Sequence, residues 1–310
     1  MANNTNESIL KISDLYKDYG KGKKVVHALN GLDFEINEDE IIGLIGANGS
    51  GKTTLFSCII GTEDIKSGSI EVLGGNPWTD MNVRKQIIFS SGIFSEKNYN
   101  SLNLIKHFSY IYENFDKEFA VKLIELFGIN VKAKYSTLST GMASIVRFSL
   151  AMASRSKVTL LDEPFTGVDI EKRKLMYDIL LRDYMENPRV FIVSSHNLTE
   201  IENILARMVF IDEGKLIFNK SMDEVRELLI DVSGDKDKLS EFANSIENAA
   251  VIKHISQETG NHLIVNTEVD ETAFSKAKDM GLDVNKVDPE DLCVYMTEHT
   301  SDEDLEKLWA

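Results

Sequence analysis

The sequence predicts an α/β fold built on a mixed sheet, with an inserted helical subdomain and a small α+β accessory domain at the C-terminal end. Two apolar runs, VTLLDEP at 158–164 and VFIVSSH at 190–196, flank an amphipathic stretch from about Ile170 to Met185. Continuous apolar strands that alternate with helices are typical of a parallel sheet buried on both faces. A third apolar run, IIGLIG, precedes a glycine-rich loop and a helix-prone segment, and it extends the same pattern toward the N-terminus.

The N-terminal strands are predicted from a region in which apolar segments alternate with turn signals. These segments are ILKISDLYKDYG, VVHALNGLDFEI, IIGLIG and SGSIEVLGG. We expect them to supply the first strands of the mixed sheet.

The loop GANGSGKT at 46–53 matches the pattern G-x-x-x-x-G-K-[ST], which binds the phosphates of a nucleoside triphosphate. Its glycines let successive backbone N–H groups point inward, and the N-terminus of the next helix adds partial positive charge. Lys52 is predicted to reach the β- and γ-phosphates, and the Thr53 hydroxyl to bind Mg²⁺. Such a pattern also occurs by chance, but a strand before it and a helix after it are the context that the motif requires. The candidate nucleotide-binding residues are Asn48, Gly49, Ser50, Gly51, Lys52, Thr53 and Thr54.

A helical subdomain is predicted from about residue 95 to residue 156. Apolar residues recur three and four positions apart in LIKHFSYIYENF and in EFAVKLIELFG, as they do on one face of a helix. Gly128 follows the second of these segments and is expected to end its helix.

The strand that follows the helical subdomain ends in two adjacent carboxylates, Asp162 and Glu163. Ligands of open α/β sheets bind at this end of the strands. Asp162 is predicted to hold Mg²⁺, directly or through water, and Glu163 to orient or deprotonate a water that attacks the γ-phosphate. Adjacent acids at a strand end also occur in solvated turns and at helix N-caps. The phosphate loop, about a hundred residues upstream, favours the catalytic interpretation.

The charge distribution separates residues 225–310 from residues 1–224. The later segment carries 20 Asp and Glu against 8 Lys and Arg, a net charge of −12 out of −16 for the whole chain. Its pattern of LLIDVS, KLSEFANSI, AAVIKHIS, NHLIVNTEV and AFSKAKDMG predicts a small α+β accessory domain. Because affinity for nucleic acid comes mainly from Lys and Arg at the phosphates, we expect no nucleic-acid partner.

Composition and length favour a globular protein of a reducing compartment. The chain has 310 residues, of which 43% are hydrophobic, and its two cysteines, Cys58 and Cys293, are far apart in sequence. Its apolar runs are shorter than the roughly 18 residues that a membrane helix needs, and MANNTNESIL does not resemble a secretion signal. We therefore expect a cytoplasmic protein.

The order of these motifs resembles that of the ATP-binding cassette (ABC) ATPases, a family of P-loop NTPases. The resemblance rests on the phosphate loop, LSTGM at 138–142, the Asp162–Glu163 pair, FTGVD at 165–169 and His196 after an apolar strand. LSTGM is similar to the family's LSGGQ signature, which caps the ATP held by the phosphate loop of a second subunit. The resemblance implies an ATP-dependent homodimer with ATP and Mg²⁺ as cofactors, in which the signature residues Ser139, Thr140, Gly141 and Met142 act across the interface.

The same resemblance implies roles for three further residues. Tyr19 lies where the family places an aromatic ring that stacks on adenine, with Tyr16 as a competing candidate. His196 matches a switch histidine that contacts the γ-phosphate and holds Glu163 and the attacking water in place. Asp169 matches the loop that crosses between the two ATP sites of the dimer.

The sequence also departs from the family pattern. Where the family has a glutamine after an apolar strand, this chain reads IIFSSGIF, which places Gly92 or its neighbours there. Ser90, Ser91 or Glu96 are the candidates to take over the coupling role of that glutamine. In the signature, Thr140 and Met142 replace a glycine and a glutamine, and Ile145 stands where a basic residue is common. These changes predict slow turnover, while Glu163 and His196 still predict hydrolysis.

The family resemblance implies a transporter subunit. Two copies are expected to bind separately encoded transmembrane permease subunits at the cytoplasmic face of the membrane. DPEDLCVYMTE is similar to the end of cassettes that work with exporters of drugs, peptides or lipids, and it favours export. The alternative is a soluble ABC ATPase that acts on ribosomes or nucleic acid. Such proteins usually carry two cassettes in one chain, whereas this sequence contains a single phosphate loop.

Overall fold

The computed structural model describes residues 8–91, 99–257 and 260–297, and it divides the chain into two compact units. The first unit ends at Asn219, and the second begins at Lys220 and also includes the short segment Asn197–Thr199. In the described part of the chain, no helix is both long enough and apolar enough to cross a membrane.

The strands and helices of the first unit alternate along the chain. In order they are β1 (Leu10–Tyr19), β2 (Val26–Ile36), β3 (Ile41–Ile45), α1 (Lys52–Ile59), β4 (Ser67–Val72), α2 (Met81–Arg84), β5 (Ile87–Ser90), α3 (Ser101–Ile111), α4 (Lys117–Leu126), α5 (Thr140–Ala153), β6 (Val158–Asp162), α6 (Ile170–Glu186), β7 (Val190–Ser195), β8 (Arg207–Asp212) and β9 (Lys215–Ser221).

A six-stranded sheet of order β5-β6-β7-β3-β8-β9 forms the centre of the first unit. The pairs β5–β6, β6–β7, β7–β3 and β3–β8 are parallel. Every residue of β3 and β7 is buried, which explains why these strands are continuously apolar up to the serines that end β7. The parallel arrangement brings the carboxyl ends of β3, β6 and β7 to one edge of the sheet, where the three strands are neighbours.

The remaining N-terminal strands form a separate antiparallel sheet of order β2-β1-β4. The sequence predicted them as part of one mixed sheet with β3, and the structure divides the two sets. Both sheets contribute to one hydrophobic core, in which Leu15 and Leu32 of the antiparallel sheet join Leu44 and Ile192 of the parallel sheet and Phe56 of α1. Burial of side chains of this size stabilises the fold by about 1.5–3 kcal/mol each.

The helical segment between β5 and β6 consists of α3, α4 and α5. Asn100 and Asp116 accept hydrogen bonds from backbone N–H groups in the first turns of α3 and α4, which explains where these helices begin. Gly128 has φ +75°, a conformation that ends α4 at the position the sequence predicted. α5 is buried from Ser144 to Ala153, so this helix packs inside the unit.

The second unit has its own sheet and its own core. Its elements are α7 (Met222–Leu228), β10 (Leu229–Gly234), α8 (Lys236–Ser245), β11 (Val251–Gln257), β12 (Gly260–Asn266), α9 (Ala273–Asp279), β13 (Asp283–Lys286) and α10 (Pro289–Thr297). The strands form an antiparallel sheet of order β11-β12-β10-β13. Phe242 of α8 and Val232 of β10 belong to its core.

The boundary between the units precedes the one predicted between residues 224 and 225. The structure places it between Asn219 and Lys220. Ser221 caps α7 through a reciprocal pair of bonds with Glu224, and the helix buries Met222 and Val225. The change in charge begins only after this helix has started, and a domain boundary between residues 224 and 225 stays a prediction.

Candidate functional site

The phosphate-loop sequence forms a tight turn between buried β3 and α1. Gly49 and Gly51 have φ of +88° and +108°, which side chains other than glycine rarely adopt. A Cβ atom at Gly46 would lie 2.3 Å from the Ile211 carbonyl oxygen, and one at Gly51 would lie 2.6 Å from the Ala28 carbonyl oxygen. Glycine is therefore favoured at Gly49 by the backbone conformation, at Gly46 by close packing and at Gly51 by both.

Lys52 lies at the start of α1 with its side chain folded against the loop. The residue is 6% exposed, and its Nζ donates hydrogen bonds to the carbonyl oxygens of Gly46 (2.6 Å) and Ala47 (3.0 Å). Burial lowers the pKa of Lys52 from its usual value, while the charges of Glu163 and Asp162 oppose that shift. These two carboxylates are the acidic groups that the sequence predicted for the same site.

Asp162, the last residue of β6, joins the phosphate loop to β7. One carboxylate oxygen, Oδ2, accepts a hydrogen bond from the Thr53 hydroxyl at 2.9 Å. The other, Oδ1, accepts one from the Ser194 hydroxyl at 2.7 Å. Sequence reasoning missed Ser194, although two serines at the end of an otherwise apolar strand were a signal that could have identified it.

Glu163 and His196 are in direct contact. Nδ1 of His196 lies 2.9 Å from Oε1 of Glu163. Glu163 has φ +46°, an uncommon conformation for a non-glycine residue, and its N–H donates to the Ser194 hydroxyl at 2.9 Å. The chain thus turns sharply after β6, and the turn brings the Glu163 carboxylate to the histidine that follows β7.

The signature residues contact the loop that follows β6. Ser139 caps α5, its hydroxyl accepting a hydrogen bond from the Met142 N–H at 3.3 Å, and both Ser139 and Thr140 are exposed. A Cβ atom at Gly141 would lie 2.1 Å from the Gly167 carbonyl oxygen. The first turn of α5 therefore packs directly on the loop that ends at Asp169.

Asp169 caps α6. Its side chain accepts a hydrogen bond from the Lys172 N–H at 3.0 Å and pairs with the Lys172 ammonium at 3.0 Å. These bonds, that to the backbone N–H first, lower the pKa of Asp169 from its usual value. The carboxylate is exposed to solvent.

The remaining predicted residues lie at the edges of the site or outside the described chain. Tyr19 ends β1 and is 38% exposed, with the Lys17 ammonium 4.8 Å from its ring centroid. Tyr16 is half-buried, and its hydroxyl lies beside Gly31. Ser90 ends β5 and Ser91 follows it. Gly92, at the position of the family's glutamine, and Glu96, a candidate for the role of that glutamine, fall outside the described residues.

The site has the oxygen ligands and polar groups that suit Mg²⁺ and a triphosphate. Mg²⁺ prefers hard oxygen ligands. The Thr53 hydroxyl and the Asp162 carboxylate supply two of them, with their oxygen atoms 2.9 Å apart. The Ser50 hydroxyl is buried without a hydrogen-bond partner among the described residues, and the glycines keep the backbone N–H groups of the loop free of side-chain obstruction. Asn48 and Gly49 form the exposed tip of the loop, and Thr54 continues into α1.

Comparison with known sequences finds a match to the family model described as ABC transporter, over residues 29–166. The chain is 31% identical over 206 residues to the ABC transporter ATP-binding protein YtrB of Bacillus subtilis, covering 66% of this chain and 70% of YtrB. It is 28% identical over 249 residues to the phosphonates import ATP-binding protein PhnC of Fusobacterium nucleatum, covering 71% of this chain and 96% of PhnC.

Comparison with solved structures supports the same assignment of the fold. A dimeric, post-hydrolysis structure of an ATP-binding cassette bound to ADP and Pi matches with a TM-score of 0.60 and 19% identity. The match covers 69% of this chain and 98% of the cassette. This similarity confirms the predicted α/β cassette fold.

Proposed function

The chain belongs to the ABC transporter family as an ATP-binding and ATP-hydrolysing subunit that uses Mg²⁺, and we propose that two copies of it drive separately encoded transmembrane permease subunits. The single observation that supports the ATPase activity behind this proposal is the group of side chains at one edge of the parallel sheet. There the Thr53–Asp162 and Glu163–His196 pairs are joined through Ser194 beside the buried Lys52.

Each side chain of this group has a distinct role in the proposed reaction. Lys52 offsets the charge of the β- and γ-phosphates, and Thr53 and Asp162 would hold Mg²⁺, which offsets further negative charge when it is bound. The Glu163 carboxylate orients the attacking water and accepts its proton. His196 fixes the Glu163 carboxylate through the 2.9 Å contact at Nδ1, and, as the family resemblance implies, it would contact the γ-phosphate.

The two subunits of the proposed dimer complete each other's sites. Ser139 and the backbone at Gly141 lie at the N-terminus of α5, where a helix favours anions, and they would cap the triphosphate of the partner copy. Asp169 lies in the loop that would cross between the two sites. ATP binding would close the dimer, and hydrolysis would reopen it and move the permease.

We place the assembly at the cytoplasmic face of the membrane, held there by the permease, and we propose export of a peptide, drug or lipid. The support for export is the resemblance of DPEDLCVYMTE, most of which forms α10, to the end of exporter cassettes. The relative named for phosphonates import shows that similarity at this level is also found with importers. Co-purification with a membrane protein, rather than with ribosomes or nucleic acid, is the result that this proposal requires.

The change Glu163→Gln tests the proposed reaction. We expect the variant to bind ATP with little change, because the amide keeps the shape of the side chain, and to lose hydrolysis by about 10²–10⁴-fold, because an amide cannot accept the proton. It should also accumulate an ATP-dependent dimer in gel filtration. The matched control is Glu186→Gln, at the exposed end of α6, which should hydrolyse ATP like the unchanged chain. A Glu163→Gln variant that remains an active monomer would refute the assignment.

A further inference from the structure

An ion pair connects α6 to the segment that follows His196. Arg173, in the first turns of α6, donates through Nη1 to Oε1 of Glu200, which lies four residues after the histidine. The side chains of Arg173 and Glu200 are 22% and 32% exposed, so the pair is largely shielded from solvent. The interaction is therefore less screened than a pair on the open surface.

The same guanidinium also holds the loop that ends at Asp169. Nη2 of Arg173 donates to the Val168 carbonyl oxygen at 3.2 Å, and the Arg173 N–H donates to the Asp169 carbonyl oxygen at 2.9 Å. One turn further along α6, the ring of Tyr177 packs edge-on against Phe165 with 4.5 Å between centroids. Arg173 thus uses the two arms of its planar fork on two different segments, which a lysine could not reproduce.

The loop held by Arg173 is also the one on which the signature packs. Gly141 approaches the Gly167 carbonyl oxygen, and the Ser144 hydroxyl donates to the Thr166 carbonyl oxygen at 3.0 Å. A displacement of α5 must therefore move this loop, because there is no space between Gly141 and Gly167 to absorb it.

The segment that follows His196 is anchored by buried side chains on both sides of Glu200, one of which is Leu198, 2% exposed. Ile201, next to Glu200, is 1% exposed, which anchors the segment immediately after the ion pair. His196 itself is exposed and contacts Glu163. Glu200 and His196 are thus connected by a short stretch of chain, within which the Thr199 hydroxyl also donates to Oε2 of Glu290.

We propose that Arg173 and Glu200 are positioning residues that couple the signature and the Asp169 loop to the switch segment of His196. This inference rests on the proposed function. In the dimer, the signature engages the ATP of the partner copy, whereas His196 acts on the ATP bound to its own chain. The pair then makes the placement of His196 depend on whether the opposite site is filled, and hydrolysis at the two sites is coupled through it.

The change Arg173→Met tests the coupling in the full-length chain. It removes both hydrogen bonds of the guanidinium but keeps an apolar stem of similar length. We expect kcat for ATP hydrolysis to fall about tenfold, because the histidine is no longer held when the dimer closes. ATP affinity, measured in a Glu163→Gln background, should stay the same, because neither residue touches the phosphate loop. Lys174→Met is the matched control, since it removes the same charge from the neighbouring, exposed position of α6.

Two further measurements separate positioning from a merely structural role. The first combines Arg173→Met with His196→Ala. If Arg173 acts through the histidine, Arg173→Met should cause no further loss of kcat in a chain that already carries His196→Ala. The second is the exchange Arg173→Glu with Glu200→Arg, which should recover part of the activity lost in either single variant, because the ion pair is restored in reverse. If Arg173→Met proves unstable, the milder variant Glu200→Gln takes its place in the test. Its kcat should lie between that of the unchanged chain and the tenfold lower value expected for Arg173→Met.

The outcomes distinguish this inference from the proposed function on which it rests. If Arg173→Met and Lys174→Met have the same kcat, or if the losses from Arg173→Met and His196→Ala multiply, the coupling role is wrong while the ATPase assignment stands. If the unchanged chain does not hydrolyse ATP, or if Glu163→Gln has no effect, both are wrong. A selective, non-additive loss with an unchanged melting temperature supports the proposal.

Discussion

The Ser194 hydroxyl makes two hydrogen bonds that hold the acidic residues of the site in place. It donates to Asp162 and accepts from the Glu163 N–H, and the residue is completely buried at the end of β7. Because a hydroxyl can donate and accept at once, this one group fixes both the carboxylate proposed for Mg²⁺ and the backbone of the residue proposed to activate water. The position needs a small hydroxyl side chain.

We predict that Ser194→Ala lowers kcat about tenfold, because a half-buried carboxylate oxygen and a backbone N–H each lose a partner. The Mg²⁺ concentration required for half-maximal activity should rise, since the Asp162 carboxylate is no longer held. Steady-state hydrolysis at varied Mg²⁺ measures both effects. Thr159→Val is the control, because its buried hydroxyl in β6 lacks a hydrogen-bond partner among the described residues. Equal activity of the two variants would contradict the role of Ser194.

At this scale, the sequence was most informative where a fixed spacing accompanies a fixed chemistry. Lys52 and Thr53 follow from the phosphate-loop pattern, and Asp162, Glu163 and His196 from acids and a histidine placed after apolar strands. The structure brings these five side chains to one edge of the sheet. Ser194 was missed because the serines that end β7 mark the position without showing the partner, Asp162, which is 32 residues distant in sequence.

The contact between α5 and the loop after β6 depends on a pair of glycines. Gly167 has φ +75°, and its carbonyl oxygen leaves no space for a side chain at Gly141. The helix therefore begins directly against the loop that leads to Asp169, and Ser139 at its N-cap is placed by the same contact.

Gly141→Ala is predicted to abolish most of the ATP hydrolysis while leaving the cassette folded. Alanine favours a helix over glycine by about 1 kcal/mol, so the change would stabilise α5 if the helix were free. The added Cβ instead forces α5 and the loop apart and moves Ser139 away from its position. Met142→Ala, in the same turn of α5, is the control for the effect of a substitution elsewhere in the signature. Hydrolysis and helical content by circular dichroism are the measurements, and full activity in Gly141→Ala would show that the contact is dispensable.

The sequence predicted the elements of the fold better than their arrangement. The apolar runs of β3, β6 and β7 identify three buried strands, since burial on both faces favours apolar side chains along the whole strand, with Thr159 the one polar side chain before the strand ends. The position of β7 between β6 and β3 could not be predicted, because pairing in a parallel sheet joins residues far apart in the chain. The separate antiparallel sheet of β1, β2 and β4 was not predicted either, because β3 lies between β2 and β4 in the chain and the apolar pattern does not show which strands pair.

The molecule consists of two units, each with its own hydrophobic core. Phe56 lies in the core of the first unit, and Phe242 in that of the second. Each unit also contains one of the two cysteines, Cys58 in α1 and Cys293 in α10. Burial raises the pKa of Cys58 to about 11 and that of Cys293 to about 12. The two thiols therefore report separately on the two units.

We predict that neither thiol reacts rapidly with a maleimide in the native protein at about pH 8, because both remain protonated, and that denaturant exposes them at different concentrations. ATP with Mg²⁺ should protect Cys58 more than Cys293, since a ligand stabilises the unit that binds it. Labelling followed by mass spectrometry across a urea series measures both midpoints, and single-cysteine variants Cys58→Ala and Cys293→Ala assign the signals. If nucleotide shifted both midpoints equally, the two units would unfold together, and the division of the molecule into independently stable parts would be wrong.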